Sequence, residues 1–254
     1  MRLEGKVALV TGGDTGIGKG ICERFADEGA SIVVDYVGDS APADALVLEL
    51  TENEHHAVAI MADVSDPAQV DSLFKQAVER FGQVDILINN AGIEKRSPFL
   101  DINIEDFDKV IAVNLRGAFL CAQAAARDMA KRHWGRIINI SSIHEDFPFP
   151  QFVPYAAAKG GLRMLMRTAA VELAQYRITV NDIAPGAIAT PINKATLANK
   201  ELVAEMNSII PLGHLGTPAD VAGVAAFLAS ADADYVTGST YYVDGGMVRY
   251  AKPL

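Results

Sequence analysis

Short apolar segments alternate with helical patterns along the whole chain, and this alternation limits the fold more than any other feature. Each segment is rich in apolar residues, and some, such as Ile86-Leu87-Ile88, are continuously apolar. Strands that alternate with helices of this length are typical of βαβ units, in which helices cover both faces of a parallel sheet. We therefore predict an α/β fold built on a doubly wound parallel sheet. The predicted strands are Val7–Val10, Ser31–Tyr36, Ala57–Met61, Val84–Asn89, Arg136–Ile140, Thr179–Ile183 and Thr240–Val243.

The pattern is expected to form one domain over residues 1–254, because no linker rich in Pro, Gly or Ser and no solenoid-like repeat divides the chain. Periodicity weakens over residues 187–211, after Pro185-Gly186. We interpret this stretch as a substrate loop or lid, and an ordinary helical excursion is the alternative. The predicted helices are Gly16–Glu28, Ala41–Glu52, Pro67–Phe81, Ile104–Lys131, Pro154–Ala174 and Pro218–Ala229.

Composition argues against several kinds of partner. The chain has 22 Lys and Arg against 32 Asp and Glu, which gives a formal charge of −10. Without a basic stripe, nucleic acid is not an expected partner, because phosphate neutralisation supplies most of that affinity. No apolar run approaches the roughly 18 residues of a membrane span, and no signal peptide is evident, so a cytoplasmic protein is expected. Cys22 and Cys121 lack metal-ligand spacing, which indicates reduced core residues and no metal site.

A glycine loop between the first predicted strand and the first predicted helix indicates a nucleotide site. Residues Thr11–Gly18 read Thr-Gly-Gly-Asp-Thr-Gly-Ile-Gly. Such glycines let the backbone turn tightly and approach a pyrophosphate at the N-terminus of a helix. The spacing differs from the usual Gly-x-Gly-x-x-Gly fingerprint, and a purely structural turn is the alternative. The cofactor contacts expected from this loop are Gly12, Thr15, Gly16, Ile17 and Gly18.

The second predicted strand ends in Asp35-Tyr36, which bears on the choice of cofactor. A carboxylate at this position usually hydrogen-bonds the adenosine ribose and repels a 2′-phosphate, and Asp14 and Asp39 would add negative potential. No Arg or Lys lies in the loop before Gly16 or just after Tyr36. The sequence therefore predicts NAD in preference to NADP, with NADP as the second option. Alternatively, Asp35 lies one residue early and its side chain points to the other side of the strand.

Polar and small residues also follow the third and fourth predicted strands. Asp63-Val64 would bracket an adenine edge, and Asn89–Gly92 would let the cofactor approach closely. The carboxyl ends of the strands form the binding crevice in sheets of this kind. Ordinary loop chemistry is the alternative for each segment. The expected contacts are Asp63, Val64, Asn90, Ala91 and Gly92.

Tyr155 and Lys159 predict proton transfer at this crevice. They lie four residues apart in a predicted helix, and Ser142 precedes Tyr155 by thirteen residues. Residues four apart share a helix face. Lowering the pKa of a phenol from near 10 to about 7 requires roughly 4 kcal/mol, and a nearby Lys⁺ and a cationic oxidised nicotinamide both act in that direction. A packed Tyr beside a solvated Lys is the alternative.

Together these motifs resemble the classical short-chain dehydrogenases/reductases across essentially the whole chain. The resemblance implies a Rossmann sheet, an oxidoreductase that uses a nicotinamide cofactor, catalysis by Asn, Ser, Tyr and Lys, and usually a homotetramer. The matching segments are Thr11–Gly18, Asp63-Val64, Asn89–Gly92, Asn114, Ser142, Tyr155 with Lys159, Pro185-Gly186 and Val243–Gly246.

The resemblance also implies a role for each matched residue. Tyr155 would exchange a proton with the substrate oxygen, and Ser142, rather than its neighbour Ser141, would orient that oxygen. Lys159 would bind the nicotinamide ribose and lower the pKa of the phenol. Asn114 would hold a water that connects Lys159 to solvent. The remaining cofactor contacts implied are Pro185, Gly186, Ile188 and Thr190.

A narrower resemblance is to the bacterial glucose 1-dehydrogenases, through Asn90–Glu94, Ser141–Glu145, Pro148–Tyr155 and Gly186–Asn193. It implies a small-molecule substrate that is a sugar, bonded by polar side chains. Subunit or loop salt bridges are the alternative for the two glutamates. Those enzymes often read Asn-Tyr-Arg where this chain has Asp-Tyr-Val, which removes a partner for a 2′-phosphate. The expected substrate contacts are Glu94, Ser142, His144, Glu145, Tyr155 and Asn193.

Three functions are compatible with these features. The leading hypothesis is NAD-linked oxidation of an aldose, similar to glucose, at C1 to its lactone. Within enzymes, the alternative is reduction of a 3-oxoacyl thioester or another secondary alcohol/ketone pair, because fold and motif do not settle a substrate. From another class, a non-catalytic nucleotide sensor would be expected to lose Ser142, Tyr155 or Lys159, and all three are present.

Overall fold

Seven parallel strands form the centre of the computed structural model, which describes residues 1–191 and 197–249. Their order in the sheet is β3-β2-β1-β4-β5-β6-β7, so the strand order reverses between β1 and β4. Ligands bind at such a switch point in open α/β sheets. The predicted doubly wound parallel sheet is confirmed. The strands are β1 Val7–Val10, β2 Ser31–Tyr36, β3 Ala57–Met61, β4 Ile86–Asn89, β5 Gly135–Ile140, β6 Ile178–Pro185 and β7 Thr240–Val243.

Helices cover both faces of the sheet. Along β1, Ala8 and Val10 pack into one hydrophobic cluster with α1 and α8, whereas Val7 and Leu9 pack into another with α3 and α5. Successive side chains of a strand point to opposite faces, so a strand buried on both sides must be continuously apolar. The helices are α1 Gly16–Asp27, α2 Ala41–Glu52, α3 Pro67–Phe81, α4 Ile104–Ile111, α5 Ala118–Arg132, α6 Val153–Leu173, α7 Lys200–Ile209 and α8 Pro218–Ala229.

One helix predicted over residues 104–131 is interrupted in the structure. A π-helical segment, Ala112–Gly117, separates α4 from α5. The wider turn buries Asn114, which a regular helical repeat would place differently. A Cβ added to Gly117 would lie 2.9 Å from Val64 Cγ2, so glycine permits the close approach of this segment to the chain after β3.

The fourth strand begins two residues later than predicted, at Ile86. The reason is Asp85, whose carboxylate accepts the Val7 backbone N–H at 3.0 Å and pairs with Arg132 at 2.7 Å. The Val7 N–H is therefore bonded by a side chain, where a continued parallel strand would supply a backbone carbonyl. In the described part of the chain, no helix is both long and apolar enough to cross a membrane.

The stretch 187–211, predicted to be a lid, contains α7. The predicted substrate contact Asn193 lies outside the described residues. Assignment of 187–211 as a lid stays a prediction.

Candidate active site

A cavity of about 770 Å³ opens at the carboxyl ends of the strands, beside the β1/β4 switch point. Its walls come from the segments that follow β1 to β6 and from α6 and α7. The structure brings almost all predicted site residues to this cavity. The exceptions among the described residues are Gly18, Asn114 and Glu145.

The glycine loop after β1 has the backbone shape of a pyrophosphate cradle. Gly12 and Gly16 have φ of +56° and +55°, in the left-handed region that favours glycine. Helix α1 starts at Gly16, and its N-cap residue Thr15 makes no capping bond with its side chain. The N–H groups of the first turn are therefore available to an anion. These residues fit the diphosphate of a nicotinamide dinucleotide.

Gly18 differs from the other loop glycines because it lies behind the cradle. A Cβ at this position would be 2.2 Å from the Gly12 carbonyl oxygen and 2.6 Å from Asn90 Nδ2. The prediction that Gly18 lines the cofactor site is wrong in this structure. Its place is a close-packing position that lets α1 sit against the loop.

Asp35 lies under the glycine loop. Its side chain is 2% exposed, and Oδ2 accepts the Gly12 backbone N–H at 3.2 Å. Burial raises the pKa of this carboxyl well above its usual value, and the Gly12 bond opposes that rise. The carboxyl group therefore holds the loop in position, and a bond to the ribose stays a prediction.

The adenosine end of the cavity carries no cationic side chain among the residues that line it after β1, β2 and β3. Acidic Asp14 and Asp63 lie there, and Val37 is 69% exposed. Lys19, the nearest cation in the sequence, pairs with Glu23 and Glu49 instead. The electrostatic potential at this end is therefore unfavourable for a 2′-phosphate.

Tyr155 and Lys159 meet on one face of α6, as their spacing predicts. Lys159 Nζ lies 5.4 Å from the centre of the Tyr155 ring. The Lys159 side chain is buried, and Nζ donates to the Ile140 carbonyl oxygen at 2.7 Å. Burial lowers the pKa of Lys159 to about 8, whereas Asp182 and Glu145 favour its charged form. The Lys159 ammonium group therefore lies beside the phenol, and its own pKa is close to neutral pH.

Burial, a hydrogen bond and a nearby charge act on the pKa of the Tyr155 phenol in opposing directions. Burial raises its pKa to about 12, a hydrogen bond with Ser142 lowers it, and the Glu94 carboxylate raises it. In the chain alone the phenol is therefore protonated at neutral pH and can donate a proton. A cationic oxidised nicotinamide placed in the cavity would favour the phenolate.

The two neighbouring serines have different surroundings. Ser142 lines the cavity, and its Oγ accepts the His144 backbone N–H at 3.2 Å. Ser141 donates its hydroxyl to Glu145 Oε2 at 2.5 Å. Both serines line the cavity, but the Ser141 hydroxyl is taken up by Glu145, so the substrate-orienting role of Ser142 stays the preferred prediction.

Asn114 is buried next to the loop after β4. Its Oδ1 accepts the Ile93 N–H at 2.8 Å, and its Nδ2 donates to the Ile93 carbonyl oxygen at 2.9 Å. The side chain thus fixes the loop that carries Gly92 and Glu94. The water-holding role stays a prediction, since Ile93 takes two of the four hydrogen bonds that this amide can make.

Glu145 was expected to contact substrate, and the structure contradicts this. Its side chain is 0% exposed and bonds Ser141, and Oε1 lies 3.5 Å from Arg163 Nε. Of the alternatives, a salt bridge made by this loop is the one observed, and its partner Arg163 lies on α6. Glu94, by contrast, lines the cavity and also pairs with Arg96 at 2.5 Å.

His144 presents a hydrogen-bond acceptor near Tyr155. Its Nδ1 lies 3.2 Å from the Phe147 carbonyl oxygen. A carbonyl only accepts, so Nδ1 carries the proton. Burial lowers the pKa of the ring, which keeps it neutral and leaves Nε2 as an acceptor. The ring stacks on Phe152 with centroids 4.7 Å apart and meets Tyr155 edge-on at 5.7 Å.

Sequence analysis missed the apolar part of the cavity wall. Two of its members, Met206 and Ile209, lie in α7, inside the predicted lid. Their sequence position hinted at the site, but helical periodicity does not tell which neighbour a helix packs against. These missed residues are Phe149, Met206, Ile209 and Met247.

Comparisons with known proteins agree with this site. The family model described as "Enoyl-(Acyl carrier protein) reductase" matches residues 12–248. A relative from Eggerthella lenta named 3beta-hydroxysteroid dehydrogenase 1 is 46% identical over 98% of this chain and 95% of that protein. Glucose 1-dehydrogenase 2 of Bacillus subtilis is 41% identical over 99% of this chain and 98% of that protein.

A solved structure extends the comparison to three dimensions. The gluconate 5-dehydrogenase from Burkholderia cenocepacia, in complex with NADP and tartrate, is 37% identical and superposes with a TM-score of 0.94 over 98% of each chain. The names of these proteins cover several substrates, and all three are named as dehydrogenases. The chain therefore belongs to the short-chain dehydrogenase/reductase family of oxidoreductases.

Proposed function

We propose that this oxidoreductase uses NAD⁺ to oxidise a ring hydroxyl of a sugar, with C1 of an aldose as the reacting carbon. The observation that carries the proposal is the convergence of Tyr155, Ser142 and buried Lys159 on one cavity beside Glu94 and His144. A carboxylate and an imidazole acceptor next to the reacting position suit a substrate with several hydroxyl groups.

The chain's own residues handle the proton of this reaction. Ser142 holds the substrate oxygen, and the Tyr155 phenolate takes the hydroxyl proton. The Lys159 ammonium, 5.4 Å from the ring, stabilises the phenolate. A nicotinamide bound in the cavity would supply the hydride acceptor, so a hydride from C1 and the hydroxyl proton taken by Tyr155, two electrons and two protons in all, would leave the sugar as the lactone carbonyl forms.

The preference for NAD⁺ follows from charge. Asp14 and Asp63 line the cavity in the segments after β1 and β3, and none of the described lining residues that follow β1, β2 and β3 is Lys or Arg. A 2′-phosphate would meet like charge without a cation to pair with. The Burkholderia cenocepacia structure, which contains NADP, shows that a related fold accommodates that cofactor.

A second candidate is oxidation of a hydroxyl on a larger apolar ring. Phe149, Met206, Ile209 and Met247 form an apolar part of the cavity wall. The relative from Eggerthella lenta is named as a 3β-hydroxysteroid dehydrogenase, so a 3β-hydroxysteroid is the compound with which to test this class. A 3-oxoacyl thioester is the third substrate class, because a relative from Synechocystis that is 42% identical over 98% of this chain is named as a 3-oxoacyl-[acyl-carrier-protein] reductase.

A substrate panel with both cofactors tests the proposal. Glucose, galactose, xylose and rhamnose, a 3β-hydroxysteroid and, in the reverse direction, acetoacetyl thioester are each followed by the absorbance of reduced nicotinamide. The proposal predicts the highest kcat/KM for a sugar with NAD⁺. Preference for the steroid or the thioester would reject the sugar, and binding of NAD⁺ without turnover of any compound would support a sensor.

We also propose that the chain forms a homotetramer. Phe119 of α5 and Met164 and Val171 of α6 are exposed apolar side chains on helices that flank the site. Such side chains on neighbouring helices form a surface suited to packing against another subunit. Multi-angle light scattering tests the assembly, and a monomer across the working concentration range would contradict it.

A further inference from the structure

A buried carboxylate behind the catalytic serine takes no part in the steps described above. Glu145 belongs to a short 3₁₀ turn, Ile143–Glu145, which begins directly after Ser142. Its side chain is fully buried, yet it does not reach the cavity. A buried charge is costly unless it is paired and hydrogen-bonded, so its contacts show what holds it there.

Glu145 connects three separate segments of the chain. Oε2 accepts the Ser141 hydroxyl from the end of β5 at 2.5 Å. Oε1 lies 3.5 Å from Arg163 Nε on α6 and 3.5 Å from the Tyr242 hydroxyl on β7. The Ser141 bond is the short, charge-assisted one, and the two contacts at 3.5 Å are longer and mainly electrostatic, so the carboxylate is held firmly by Ser141 and also attracted by Arg163.

The contacts of Glu145 with Ser141 and with Arg163 connect it to the residues assigned to catalysis. Ser141 precedes Ser142 directly, and its hydroxyl is held by the carboxylate. Arg163 lies four residues after Lys159 and eight after Tyr155 on α6, so it shares their side of the helix. The contact between Glu145 and Arg163 therefore joins the serine turn to the helix that carries the phenol and the ammonium.

The charges around Glu145 are balanced within this cluster. Asp146, 55% exposed, also pairs with Arg163, at 3.2 Å, and the Tyr242 hydroxyl lies near both carboxylates. Lys159 and Asp182 are the other charged groups close enough to interact. Burial raises the pKa of Glu145, and the Ser141 bond and the Arg163 charge lower it.

We propose that Glu145 is a positioning residue: through Ser141 and Arg163 it sets the separation between the Ser142 hydroxyl and the Tyr155 phenol. The proposal rests on the proposed function only in assigning the acid/base role to Tyr155, and it holds for any substrate. Without this anchor, the turn after β5 is free to move away from α6, and the hydrogen bond between Ser142 and Tyr155 weakens.

The test follows the ionisation of Tyr155 in the complex with NAD⁺, without substrate. Near-ultraviolet difference absorbance between each protein and its Tyr155→Phe counterpart isolates this phenol from the other tyrosines. Loss of the Ser142 hydrogen bond shifts the tyrosinate titration to higher pH, on the order of one pH unit. We expect this shift in Glu145→Gln and in Ser141→Ala, which removes the anchor while leaving the carboxylate in place.

Asp146→Asn is the matched control, because it removes a carboxylate from the same cluster and leaves the Ser141 bond intact. Its titration should stay at the wild-type pH, and thermal unfolding checks that each variant is folded. Ser141→Ala carries the test by itself if Glu145→Gln does not fold. With any compound that supports turnover, Glu145→Gln should lower kcat about tenfold and leave KM within about twofold.

An unchanged titration in Glu145→Gln or Ser141→Ala would overturn the proposal. An equal shift in Asp146→Asn would also overturn it, because the effect would then not depend on the bond between Glu145 and Ser141. An inactive sugar panel would reject the sugar as substrate and leave the titration result standing, so the two proposals fail separately.

Discussion

Replacement of Lys159 by Met should expose how much the ammonium contributes to ionisation of Tyr155. The Nζ lies 5.4 Å from the centre of the phenol ring. At an effective dielectric constant of about 20, two unit charges at that separation interact by about 3 kcal/mol. That energy corresponds to roughly 2 pKa units, so kcat/KM for alcohol oxidation at neutral pH should fall about 100-fold.

The pKa of Lys159 determines at which pH the effect of its replacement is largest. Burial lowers the pKa of Lys159 to about 8, so the wild-type charge is fully present below that pH and is lost above it. The difference between wild type and Lys159→Met should therefore be largest near neutral pH and should shrink as pH rises past about 8.

Initial rates at saturating NAD⁺ across this pH range measure the effect, because saturation removes any loss of cofactor affinity. Lys75→Met is the matched control, since Lys75 is exposed on α3 and pairs only with Glu79 among the described residues. A loss of activity that is the same at every pH would refute the electrostatic reasoning.

Three further predictions concern the cofactor end and the core. Val37→Arg should raise kcat/KM for NADP⁺ by about tenfold, because an exposed Arg supplies the missing partner of a 2′-phosphate, and unchanged values would contradict this. Gly18→Ala should abolish NAD⁺ binding by calorimetry, since its Cβ would lie 2.2 Å from the Gly12 oxygen. Leu9→Ala should lower the free energy of unfolding by about 2–5 kcal/mol in urea titrations, because Leu9 is fully buried, and a loss below about 1 kcal/mol would contradict this.

The sheet and the placement of Tyr155 beside Lys159 were predictable because local patterns determine them. Continuous apolar runs marked the strands buried on both faces, and a spacing of four residues placed Tyr155 and Lys159 on one side of α6. The glycine loop was predictable for the same reason, since the left-handed φ of Gly12 and Gly16 is a property of single residues.

The features that sequence analysis missed depend on contacts between distant residues. A glutamate in a short turn can face a cavity or the interior, and the fate of Glu145 is decided by Arg163 and by Tyr242, which lies 97 residues later. The π-helical segment around Asn114 could not be predicted, because its sequence does not differ visibly from the apolar repeat of a regular helix. The start of β4 moved because the Asp85 side chain bonds the backbone of Val7.

Turnover and cofactor binding of Tyr155→Phe together test the central claim most directly. The claim is that the phenol oxygen of Tyr155 carries the substrate proton beside a bound NAD⁺. Removal of that oxygen should lower kcat by at least about 100-fold, the usual contribution of a positioned acid/base group. The Kd for NAD⁺ should stay within a few-fold of wild type. Undiminished turnover in this variant would contradict the account.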